Sequence, residues 1–128
     1  MRYLLDTHVF LWMAAAPEKL SQKVKGIVSR KNNHLHLSAA SGWEISLLNN
    51  LGRIELPDDP KRFVPEAMQL LQVAPIPIGF STAISAAALP LIHRDPFDRI
   101  IIAEAKKEKM TILTKDKQFS AYEIQSLW

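Results

Sequence analysis

Four carboxylates in this 128-residue chain sit where a carboxylate needs a reason: Asp6, Glu44, Asp98 and Asp116. Asp98 heads a stripe in which Ile101, Ile102 and Ala105 follow at plus three, plus four and plus seven. That is one face of a helix, and it is apolar. Glu44 repeats the pattern, with Leu47, Leu48 and Leu51 at the same offsets and Ala40 four residues before it. An unpaired carboxylate on an inward face is costly unless a partner or a cation neutralises it. Four that converge would also repel one another. The ordinary remedies are a raised pKa, a Lys or Arg partner, or capping of a helix. The chemical remedy is a divalent ion. Oxygen-only donors, with no cysteine and no clustered histidine, favour Mg²⁺ or Mn²⁺ over Zn²⁺. Such ions activate water and stabilise charge on a phosphodiester during displacement.

The elements that would carry these acids alternate along the chain. "RYLL" is a buried strand ending at Asp6, and "THVFLWMAAA" is helical. Ser21 is placed to cap a helix over "QKVKGIVSRK". "HLHLS", residues 34–38, alternates like a strand, with His34 and His36 on its outward face. "SGWEISLLNNL" is a helix closed by Gly52. A loop with two prolines leads to a helix whose start is assigned to Pro65. "APIPI" reads as a strand at a sheet edge, because its prolines cannot donate to a neighbour. "STAISAAAL", the "DPFD" helix, the strand "TILT", a turn over "KDKQFSAY" and a last strand in "EIQSLW" complete the order. Alternating strands and helices imply an α/β domain with a mostly parallel sheet. In such folds, sites form at the carboxyl ends of strands. Asp6 ends the first strand, Asp116 follows "TILT" by two residues, and Glu44 and Asp98 open helices near that edge.

Each acid also has a structural reading. Asp6 suits the cap of the helix after it, Glu44 suits a solvated helix start, and Asp116 suits a turn. In "DPFD", Asp95 is well placed as N-cap with Pro96 at the first helical position, which leaves Asp98 near the third. The joint placement of the four at one sheet edge outweighs any of them alone. Arg94, Arg99 and Lys115 flank the acids and are candidates for substrate contact. His8 and His93 each stand beside a candidate acid, a weak signal by itself.

The rest of the composition sets bounds. Length and a 48% apolar content fit one globular domain spanning residues 1–128. The net charge of +3 and pI of about 9.3 permit a polyanionic partner without requiring one. The absence of cysteine removes disulfides and thiolate metal sites and fits a reducing cytoplasm. No apolar run approaches the roughly 20 residues that span a bilayer. Neither a glycine-rich phosphate loop nor a G-x-S-x-G elbow is present. "DTH" lacks the second acid of a D-x-D phosphatase motif, and Asp6 lacks the adjacent acid of a receiver domain.

"LLDTHVFLW", "SGWEISLLNNLGRIELP", "HRDPFDRIIIAEA" and "TILTKDKQFSAY" together resemble, in order and spacing, the motifs of PIN-domain proteins, and more narrowly VapC-like toxins of type II toxin–antitoxin pairs. The likeness runs from residue 4 to about 122. It implies a three-layer α/β/α fold with a five-stranded parallel sheet of order 3-2-1-4-5. It also implies an acidic Mg²⁺ site formed by Asp6, Glu44, Asp98 and Asp116, with Thr7 and Thr114 as neighbouring hydroxyls. The implied activity is metal-dependent endoribonuclease cleavage leaving a 5′-phosphate and a 3′-hydroxyl. The implied partners are RNA, a small antitoxin covering the groove, and a second copy of the chain. A non-catalytic RNA- or antitoxin-binding module is the alternative.

Overall fold

The five strands of the sheet are short runs of apolar residues, and all pair in parallel in the order β3-β2-β1-β4-β5. The computed structural model describes residues 1–128. β1 (Arg2–Leu5) occupies the centre, between β2 (His34–Ser38) and β4 (Thr111–Leu113). β3 (Val73–Ile76) and β5 (Ser126–Leu127) form the edges. A strand covered on both faces must be apolar at every position, not at alternate ones. Tyr3, Leu4 and Leu5 meet that demand, all being buried. Pro75 of β3 lies on an edge strand, as its missing N–H requires.

Helices cover both faces. On one, Leu5, Leu35, Leu37 and Leu113 of the sheet pack with Val9 and Phe10 of α1 (Thr7–Ala15). Val24 of α2 (Gln22–Val28), Ile45 of α3 (Ala39–Asn50) and Val64 of α4 (Pro60–Leu71) join the same cluster. On the other face, Ile101, Ile102 and Ala105 of α6 (Pro96–Glu108) pack on Leu4 and Ile112. Burial of each such isoleucine contributes about 1.5–3 kcal/mol. α5 (Phe80–Ala88) lies alongside α6. His36 pairs with Leu4 in register and is half-buried, so its face of β2 is not the solvated one that alternation suggests. In a parallel sheet both faces are roofed by helices.

Two features of the helices differ from the sequence reading. α4 begins at Pro60, not Pro65, because the Asp59 side chain accepts from Lys61 N and Pro60 takes the first position. Pro65 falls inside the helix, where its missing N–H forfeits one backbone bond. In α3 the buried positions are Ala40, Ser41 and Ile45, while Leu47 and Leu51 are 38% and 56% exposed. Glu44 therefore stands at the margin of the inward face, not in the middle of a leucine stripe. By contrast, the stripe behind Asp98 is as expected, with Ile101 and Ile102 fully buried.

Candidate active site

The carboxyl ends of β1 and β4 lie side by side, and the sheet order turns there from descending to ascending. A pocket of about 390 Å³ opens above them. Asp6, Glu44, Asp98 and Asp116 all line it, so the structure brings the four sequence-selected acids together. Asp95 lines it as a fifth, and Lys115, His8, Val9 and Trp12 complete the wall.

Each acid is held by its own local chemistry. Asp6 is the N-cap residue of α1, yet its side chain makes no capping bond. Its Oδ2 accepts instead from the Thr114 hydroxyl at 2.7 Å. Thr114 Oγ1 in turn accepts from Asp116 N at 3.0 Å, which ties the first and last acids together. Asp116 Oδ1 accepts from Gln118 N and so caps the 3-10 turn Lys117–Tyr122. Thr7 donates to Ser41 Oγ at 2.8 Å, fastening α1 to α3 one turn before Glu44. Glu44 Oε1 is buried with no hydrogen-bond partner. Asp95 Oδ1 accepts from Phe97 N and Asp98 N, the N-cap role its sequence position implies. Asp98 is then the third residue of α6, with a side chain 14% exposed.

Crowding and burial act together on these groups. Burial lifts the Asp6 carboxyl above its usual range, although the Thr114 hydroxyl opposes it. Burial also lifts Glu44, against a nearby Thr7 hydroxyl whose proton goes to Ser41, and the charges of Asp95 and Asp6 add to the rise. Asp98 is pushed up to about 8, first by burial and then by the charges of Asp95, Asp6, Glu44 and Asp116. A group with four like charges around it has a cation-shaped deficit. The donors are all hard oxygens, the set suited to Mg²⁺ or Mn²⁺. No three of the side chains already converge on one point where a single ion would touch them all. They ring the pocket instead.

The basic candidates separate. Lys115 lines the pocket and is exposed. Arg94 is exposed but borders a different groove, between α5 and α6. Arg99 does not line the acidic pocket. Its guanidinium is buried and donates to the carbonyls of Pro90, His93, Ala87 and Leu89, at 2.8–3.3 Å. No spacing rule reveals such a role, because its partners are backbone groups in an irregular segment. His93 is the residue that sequence reasoning undervalued. Its Nε2 lies 3.3 Å from Asp98 Oδ2, and its Nδ1 lies 2.6 Å from the hydroxyl of buried Tyr122. The ring thus orients Asp98 from a support 29 residues away in sequence.

Comparison with known proteins bears on the fold and the family. The family described as PIN domain matches residues 3–125. Ribonuclease VapC22 of Mycobacterium tuberculosis is 32% identical over 124 residues, covering 93% of this chain and 90% of its own. Among solved structures, VapBC2 from Rickettsia felis, bound to a DNA fragment from its promoter, superposes with a TM-score of 0.73 at 15% identity, covering 99% of this chain and 98% of its own. VapBC-1 from nontypeable Haemophilus influenzae gives 0.68 at 16% identity, with 99% and 97% covered. A toxin–antitoxin complex from Klebsiella pneumoniae gives 0.66 at 17%, with 98% and 96% covered. At those identities the structural likeness concerns the fold, and it includes the three-layer architecture with sheet order 3-2-1-4-5. Matched by that family over residues 3–125 and by that relative over 93% of its length, the chain belongs to the PIN-domain family and resembles its VapC-like members.

Proposed function

We propose that this chain, acting as one PIN domain, is the ribonuclease toxin of a toxin–antitoxin pair and hydrolyses RNA phosphodiesters with the help of Mg²⁺. The observation that carries this reading is the ring of carboxylates around one pocket, where burial first and then the neighbouring charges push Asp98 up to about 8. Asp6 and Asp98 would hold the cation most directly, and Glu44 and Asp116 would complete the set or orient the attacking water. A bound divalent ion supplies Lewis acidity to water and to the phosphate. The chain's residues do the rest. Thr114 fixes the Asp6 carboxylate, His93 fixes Asp98, and Lys115 is the exposed cation on the pocket wall that meets a phosphate. Water adds to phosphorus, the 3′ oxygen leaves with a proton, and the new end is a 5′-phosphate. Mn²⁺ would serve as a substitute.

A small antitoxin that lays a basic side chain among these acids would silence them by supplying the missing positive charge. Kinship with a protein named ribonuclease and with solved VapBC complexes supports both the activity and the partner. We place the pair in the cytoplasm. No helix is long and apolar enough to cross a membrane. The exposed apolar side chains Trp43, Leu47 and Leu51 along α3 favour a homodimer.

A second reading, an RNA- or antitoxin-binding module with a silent site, draws on the acids' failure to converge on one point. Incubating cellular RNA with the purified protein, with and without Mg²⁺ and beside Asp98→Asn, separates the two. Cleavage that needs both Mg²⁺ and Asp98 is expected. Equal cleavage by the variant would sink the site assignment, and no cleavage by the unmodified protein would favour the binding module.

A further inference from the structure

Two of the side chains lining the acidic pocket are apolar, Val9 and Trp12. Val9 is completely buried, so Trp12, partly exposed, is the apolar surface that a ligand meets. His8 lines the same wall and is exposed. Four residues apart on α1, the two share one side of the helix. Their ring centroids are 6.0 Å apart, with planes inclined at 51°. Behind Trp12 stands Trp128, with centroids 5.6 Å apart, and both pack against the larger core cluster. The indole is therefore braced from the protein side and presented on the pocket side. α1 follows directly after Asp6, and a helix rises about 1.5 Å per residue, so His8 and Trp12 stand about 3 and 9 Å along the axis from that acid.

Electrostatics in this pocket oppose a polyanion, because five carboxylates face one lysine. Contacts that do not depend on charge therefore add to the affinity for a strand beside the cut. An unpaired base stacked on an aromatic ring is such a contact, and it strengthens binding by about five- to 150-fold per base. A base inside a duplex has both faces covered by its neighbours and cannot make it. We propose that Trp12, together with His8, is a stacking platform for an unpaired nucleobase beside the scissile phosphate. The inference rests on the ribonuclease reading above.

The test uses Asp98→Asn protein in Mg²⁺ buffer, so that RNA is held without being cut. Fluorescence anisotropy reads its affinity for a labelled single-stranded oligoribonucleotide and for the same strand in a duplex. Into that background go Trp12→Phe, which keeps an aromatic face, and Trp12→Leu, which keeps apolar packing without one. Trp12→Leu is expected to weaken single-strand binding by about tenfold or more. Trp12→Phe should restore most of it, and duplex affinity should be the same in all three. Equal single-strand affinity in the Phe and Leu variants overturns the platform, as does an equal loss on both kinds of RNA. Loss of binding to the antitoxin protein, with RNA affinity unchanged, also overturns it and assigns the wall to a protein contact. His8→Ala, at an exposed position, is expected to show a smaller loss in the same direction. Unchanged affinity there, with Trp12→Leu unfolded, would reject the proposal. If the unmodified protein neither cleaves nor binds RNA in Mg²⁺ buffer, the ribonuclease reading falls together with the inference.

Discussion

Asp98 and Glu104 lie on the same helix, two turns apart, and both hold their protons far longer than an ordinary carboxyl group. Asp98 is pushed up to about 8 and Glu104 to about 7. The causes differ. Asp98 lines a pocket, and after burial its rise comes from four neighbouring acids. Glu104 is 2% exposed, with both oxygens buried and no hydrogen-bond partner. Burial lifts it, Glu108 adds a small push, and the nearby Ser38 hydroxyl pulls the other way. A perturbed acid is thus a pointer to function only when its surroundings are charged and open. Asp98 lacks a cation that can reach it from outside. Glu104 lacks a partner that no solute can bring, and it keeps its proton up to about pH 7 among packed side chains.

The sharpest break between the two is activity. Asp98→Asn is expected to lower RNA cleavage by about two to three orders of magnitude, the several kcal/mol that a metal site contributes to the transition state. Glu104→Gln should leave the rate within a few-fold, and initial rates under one Mg²⁺ concentration compare them. Next in size is the response to metal. A cation at 100 times its dissociation constant adds about 2.7 kcal/mol of stability. Thermal melts with and without Mg²⁺ should show that gain in the unmodified protein and in Glu104→Gln, and little of it in Asp98→Asn. If Asp98→Asn melts far below the unmodified protein in metal-free buffer, the repulsion assigned to Asp98 is wrong.

Protons give a smaller effect whose sign is fixed. Both acids are raised in the folded state, so the folded chain binds more protons than the unfolded one between each group's two pKa values. Without metal, stability is therefore greatest at the acid end of that range and falls as pH rises. The window runs from 3.8 to about 8 for Asp98 and from 4.5 to about 7 for Glu104. Glu104→Gln should remove its share of the decline and raise the melting temperature at pH 8 by about 3–6 °C. An unchanged slope in metal-free melts from pH 5 to 8 would mean that Glu104 has a partner after all. Least of all, Lys115→Ala should leave the Asp98 end of the helix still more negative. It should weaken RNA binding modestly and reduce the dependence of log affinity on log salt by about 0.7.

How much of this was legible in the sequence depended on whether a feature is local. The stripe behind Asp98 is local, because one apolar face against polar residues leaves a single solution for the helix. α3 was misread for the opposite reason. Its apolar residues lie on more than one side, so spacing alone placed Leu47 and Leu51 inward when both are exposed. The start of α4, assigned to Pro65 from the sequence, lies at Pro60 because the Asp59 cap fixes it there. The four acids were legible as a group because strand ends in a parallel sheet share an edge, and topology then does the assembling. His93 and Ser41 were not, since the fold alone brings Tyr122 and Thr7 to them, and Arg99 was not, since its partners are backbone carbonyls of an irregular segment.

Arg99 carries a consequence for how this molecule tolerates change. The segment from Ala87 to His93 takes its shape from one guanidinium that gathers four of its carbonyls. Every amino acid offers a carbonyl, so substitutions along that segment leave the attachment points in place. What the anchor fixes is the number of residues between them and the five-donor fork itself, which a lysine cannot reproduce. The loop that delivers His93 to the acids is thus free to drift in composition before His93 yet bound in length, with Arg99 gathering its carbonyls and Tyr122 holding its His93 end.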